Sequence, residues 1–148
     1  MKKTAGLLLV TLVLFSAASC KTTQKDISDQ FQEVYDAYRA DIILAGATSY
    51  TVAPGDTLSR IANAKYGAGN GYFFPLIMLA SSRTVLDPDL IEPGMSLTIP
   101  VLQTNLDNPV SRGRIKQFLK DVAAIYDGKG DERSISIRDH LLTQSNSL

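Results

Sequence analysis

The sequence predicts an α+β fold: a small strand–helix–helix–strand unit flanked by N- and C-terminal amphipathic helices. Three observations lead there. Residues 26–44 and 109–126 carry apolar side chains at helical spacing. Residues 49–101 begin and end in short strand-like runs, Ser49-Tyr50-Thr51-Val52 and Ser96-Leu97-Thr98-Ile99-Pro100. Between those runs lie two apolar helical segments separated by glycines and a turn-rich stretch, and two strands form a marginal sheet unless helices cover it.

The chain starts with an address. Lys2 and Lys3 precede an apolar run, Leu7 to Phe15, and then the small residues Ser16 to Ser19 and Cys20. Charged start, apolar middle and small-residue exit make a secretory signal peptide over residues 1–19. The apolar run is short for a bilayer span, which needs about 20 apolar residues. Ala17-Ala18-Ser19-Cys20 resembles the lipobox of bacterial lipoproteins, with Ala17 where Leu is usual. That resemblance implies a lipid on Cys20, the sole cysteine, as the mature N-terminus and membrane anchor. It also implies a place in the cell envelope facing the periplasm, with the outer membrane favoured because Lys21, not Asp, follows.

Residues 20–25 read as a polar tether of at most ~20 Å. Residues 26–46 follow as an amphipathic helix and its stop. Ile27, Phe31, Val34, Tyr35, Tyr38 and Ile42 form one stripe, acidic residues crowd the N-terminal half, and Ala45-Gly46-Ala47 ends it. If extended, such a helix would add ~28 Å of reach. Its stripe is expected to pack on the chain's own domain.

Within residues 49–101, Pro54-Gly55 makes a turn, and Asp56 or Thr57 caps a helix through Leu58, Ile61, Ala62 and Tyr66. Gly67, Gly69 and Gly71 read as an open loop, followed by a buried helix over Phe73–Ser81. Asp87-Pro88-Asp89 and Pro93-Gly94 are turns before the last strand. A third helix is expected over Pro109–Tyr126, a polar break over Asp127–Asp131, and a short helix over Glu132–Leu142. The helical C-terminal extension thus spans 109–142, and residues 143–148 read as a loose tail.

Composition excludes several functions. There are 15 basic and 15 acidic residues. Setting aside Lys2 and Lys3 leaves 13 against 15, a net charge of −2 and no electrostatic footprint for nucleic acid. One Cys provides neither a disulfide framework nor a thiolate metal site. A zinc peptidase needs two or three ligands and a base, whereas His140 is the sole histidine. A glycosidase needs two carboxylates flanking a cleft, and the segments outside 49–101 are lengths that make helices. No enzyme, metal or cofactor is expected.

Residues 49–101 resemble a LysM domain. The resemblance is carried, in order, by Tyr50-Thr51-Val52, Gly55-Asp56-Thr57-Leu58, Ile61-Ala62, Tyr66-Gly67, Asp87-Pro88-Asp89-Leu90-Ile91, Pro93-Gly94 and Leu97-Thr98-Ile99-Pro100. It implies a LysM-type two-stranded antiparallel sheet covered by two helices. It also implies non-catalytic binding of N-acetylglucosamine-containing glycan, peptidoglycan or a chitin-like polymer, in a groove between two loops. Those loops map to Ala53–Leu58 and Ala80–Leu90. The implied glycan contacts are Gly55, Asp56, Thr57 and Leu58 from the first loop, and Ser81, Ser82, Thr84, Val85 and Leu86 from the second. Most of the motif residues have a structural reason of their own: Gly55 permits a turn, Asp56 and Thr57 satisfy amides at a helix start, and Leu58, Ile61 and Ala62 form a buried stripe. Tyr72 is a candidate added sugar platform. Loop backbone can match an acetamido group's donor and acceptor without charge or metal. Ser81, where the family usually has Asn, and the absence of Trp favour a second expectation: an envelope scaffold whose helices 26–44 and 109–126 bind a protein partner.

Overall fold

The computed structural model describes residues 24–148. The signal peptide, Cys20 and most of the tether lie outside the described residues.

The element order is α1 (Gln24–Tyr38), β1 (Thr48–Thr51), α2 (Leu58–Tyr66), α3 (Phe74–Ala80), β2 (Ser96–Ile99), α4 (Leu102–Asp107), α5 (Pro109–Lys129) and α6 (Glu132–Asn146), with 3-10 turns at Gly71–Phe73 and Pro88–Leu90. β1 and β2 are antiparallel, from Thr48 opposite Ile99 to Thr51 opposite Ser96. Leu97 and Ile99 alternate inward, and Leu58, Ile61 and Ala62 of α2 join them in the core. The fold is therefore α+β, a two-stranded antiparallel sheet with covering and flanking helices. All of Phe74 to Leu79 in α3 is buried, because this helix lies between the sheet side and the flanking helices.

The flanking helices pack on this unit through aromatic rings. Phe31 of α1 meets Tyr126 of α5 with centroids 6.2 Å apart, Tyr38 meets Phe118 at 5.3 Å, and Phe74 of α3 meets Tyr126 edge-on at 6.4 Å. The α1 stripe thus packs on the chain's own domain, as expected. The same contacts bury the faces that were candidates for a partner.

Several boundaries differ from expectation. The first helix stops at Tyr38 instead of Leu44. Arg114 donates to the Ala37 carbonyl at 2.8 Å, closing one of the last-turn acceptors. Five residues on, the fully buried Asn105 side chain takes both the amide (2.8 Å) and the carbonyl (2.9 Å) of Ile43, so that residue is held away from helical bonding. Asn105 lies on α4, a six-residue helix whose apolar pair, Leu102 and Leu106, is too short a pattern to announce it. Gly71 belongs to a 3-10 turn, not an open loop. The polar break expected at 127–131 is mostly helix: α5 runs to Lys129 and ends at left-handed Gly130, and Asp131 caps α6 through the Ser134 amide at 3.0 Å. Residues 143–146 are helix, not tail, because the buried Ser145 hydroxyl bonds the Lys116 carbonyl at 2.9 Å and ties α6 to α5.

Candidate functional site: a cavity between the two loops and the C-terminal hairpin

The first loop is a tight turn over Ala53-Pro54-Gly55-Asp56. The Asp56 amide donates to the Ala53 carbonyl at 3.1 Å, and Gly55 sits at φ +85°, where a side chain would be strained. The Asp56 carboxylate closes the turn, accepting from the Ala53 amide at 2.8 Å and the Tyr50 hydroxyl at 2.7 Å. Those donors, the backbone amide first, hold its pKa below the ordinary carboxylate value. Thr57 then caps α2, accepting from the Arg60 amide at 3.3 Å.

The second loop leaves α3 at Ser81. Ser81 is buried, and its hydroxyl accepts from the Thr98 amide at 2.9 Å and lies 3.4 Å from the Thr98 carbonyl. It therefore pins the loop to β2. Val85 is in the core, and Gln32 of α1 donates to the Ser82 carbonyl at 3.3 Å. Further along, Asp87 accepts from the Asp89 amide at 2.9 Å, which sets the 3-10 turn. Lys129 of α5 joins the two carboxylates, 3.3 Å from Asp87 and 2.7 Å from Asp89. Asp89 also receives the Tyr126 hydroxyl at 3.4 Å and the Arg133 guanidinium at 3.3 Å. Burial, with the Asp89 charge second, raises the Tyr126 pKa far above that of a free phenol, so its hydroxyl stays a donor.

Between these walls lies an open cavity of about 560 Å³. One side is Thr57, Leu58 and Ser59; another is Pro88 and Asp89; Tyr72, Phe74 and Tyr126 form the floor and rim. The remaining wall comes from outside the strand–helix–helix–strand unit: Glu132, Arg133, Ser136 and Ile137 of α6. The volume falls within the roughly 300–1,000 Å³ of small-molecule sites. Tyr72 is stacked on His140 of α6, with centroids 4.3 Å apart and planes 12° from parallel, so one of its faces is already covered.

Of the residues expected at the glycan, Thr57 and Leu58 line this cavity. Gly55, Asp56, Ser81, Ser82, Thr84, Val85 and Leu86 do not. The side-chain polar groups of Asp56 and Ser81 serve the fold, Val85 is core, and Leu86 is exposed on the second loop. Pro88 and Asp89 stood in the motif and could have been placed in the groove from it. The α6 residues had no signal, since their part depends on how the C-terminal hairpin docks.

Residues 50–100, about a third of the chain, match the family model described as LysM domain, and that segment is a LysM domain. A protein of Deinococcus radiodurans described as uncharacterized is 46% identical over 55 residues, covering 37% of this chain and 20% of that protein. The chain thus matches about a fifth of that relative's length. No solved structure gives a significant match.

Proposed function

We propose that this chain is a lipid-anchored envelope protein that holds peptidoglycan without cleaving it, its LysM domain gripping N-acetylglucosamine units in the cavity beside Thr57 and Asp89. The observation that carries this reading is the open cavity between the two loops of the LysM segment, which the flanking helices border without filling. Thr57, Ser59 and exposed loop backbone offer the donors and acceptors an acetamido group needs, and Leu58, Pro88 and Phe74 offer apolar surface for its methyl. The motif at residues 1–20 supports a lipid on Cys20 and a periplasm-facing position, with the outer membrane favoured. A single shallow site binds weakly, but a repeating polymer and an anchored protein raise the effective concentration.

The test uses the mature chain with Cys20→Ser and purified insoluble peptidoglycan. The wild-type cavity is expected to co-sediment with the polymer, and Ser59→Trp, which fills the cavity from α2, to leave the protein in the supernatant with an unchanged circular dichroism spectrum. Failure of the unaltered cavity to sediment beside a binding LysM control would end the reading. Mass spectrometry of the native N-terminus tests the anchor separately, a diacylglycerol-modified Cys20 being the expected result. The scaffold alternative has less to stand on, since the stripes of α1 and α5 that would hold a partner are buried in the chain's own core.

A further inference from the structure

We infer that the α5–α6 hairpin is part of the ligand-binding surface, and that Arg133 and Glu132 tune the cavity for an amino sugar bearing a zwitterionic substituent over a neutral one. The inference rests on the glycan-binding reading above and adds the ligand's chemical class to it. The LysM side of the cavity, apart from Asp89, is neutral: Thr57, Leu58, Ser59 and Pro88. A neutral N-acetyl sugar asks for no more. The hairpin adds one guanidinium and one carboxylate to the same space.

The fold gives Arg133 little reason to be there. Its side chain is 68% exposed and makes one 3.3 Å contact, to an Asp89 already held by Lys129 at 2.7 Å. Exposed pairs of that kind contribute little to stability. A guanidinium presents five N–H donors in a planar fork suited to a carboxylate. A ligand carboxylate could therefore draw Arg133 away while Asp89 keeps its lysine. Glu132 stands beside it as a partner for an ammonium group. A peptide joined to a sugar through its N-terminus keeps its C-terminal carboxylate, and a diamino acid within it keeps a side-chain ammonium. The peptide-bearing sugar of peptidoglycan supplies such a substituent, and the sugar of chitin does not.

The experiment is an NMR titration of the mature Cys20→Ser chain with two soluble probes, chitobiose and a peptidoglycan disaccharide carrying its stem peptide. The expected result is tighter binding of the peptide-bearing probe, with shifts at amides 132–137 as well as 57–59. Arg133→Ala should reduce that preference on the order of tenfold, the loss of one charge-assisted hydrogen bond. Ser136→Trp should weaken both probes, and thermal melts should show both variants folded. Equal binding of the two probes, or a preference that survives Arg133→Ala, overturns the inference and leaves glycan binding intact. Binding of neither probe by the unaltered chain, with no sedimentation on peptidoglycan, removes the glycan reading and this inference together.

Discussion

Ser81 shows how one hydroxyl can do an amide's structural work. It satisfies the Thr98 amide inside the fold, at the point where α3 gives way to the second loop. Ser81→Ala would leave that amide without its partner and is expected to destabilise the protein by about 1–3 kcal/mol, read as a lower urea midpoint at an unchanged slope. From the sequence, Ser81 stood as a sugar contact because of its place in the motif. Motif position fixes where a residue lies on the chain, not the direction of its side chain. Asp56 is a similar case. Its folded pKa is lowered, so its contribution to stability is present at neutral pH and lost as pH falls through the carboxylate range, below about 4. Asp56→Asn should therefore lower the melting temperature at pH 7, and the gap from wild type should close as the pH approaches 3. A gap constant with pH would show that the ionised form is not what holds the turn. Thr57, by contrast, was legible as one of two candidate caps beside Asp56, since a residue with a side-chain oxygen before an apolar helical run can cap it by local chemistry alone, and the structure gives the role to Thr57.

Helices and strands were legible where local pattern decides them and illegible where a distant side chain does. β1, α2, α3 and β2 follow from alternation, caps and apolar runs within each segment. The end of α1 does not, because it is set by Arg114 and Asn105, more than sixty residues away. Asn105 also accepts from the buried Ser111 hydroxyl at 2.9 Å, so one amide side chain joins the α1–β1 connection, α4 and α5. Asn105→Ala is expected to cost more than about 2 kcal/mol, since it orphans several polar groups at once. Hydrogen exchange should then show faster exchange at the Ile43 amide, and a stability equal to wild type would count against this account. The C-terminal end of α6 was missed for the same reason. Thr143 to Asn146 are polar and carry no stripe, and it is the Lys116 carbonyl on α5 that holds Ser145.

The molecule as a whole has one core, not a module with appendages. Phe31, Tyr126 and Phe74 come from α1, α5 and α3 and touch in one cluster, so the LysM segment and its extensions bury each other's apolar surface. The chain should unfold in a single transition, with tyrosine fluorescence and far-ultraviolet dichroism giving coincident urea curves. An isolated fragment of residues 49–101 should melt well below the full chain, because it exposes the buried face of α3. Two separated transitions in the full chain would contradict this. The boundaries of the LysM segment were readable because its turns and caps are local. The docking of the hairpin against the groove was not, since no period or motif names the surface a helix will meet.

If Cys20 bears the lipid proposed above, the packing of α1 onto α5 also bears on distance from the bilayer. A free rod standing on a lipid would let the binding module roam deep into the wall. With α1 folded back onto the body, the chain between such an anchor and the fold comprises residues 20–23, which span at most ~14 Å. The search volume is then a thin shell against the membrane face, so strands of the wall lying farther out would be beyond its grasp.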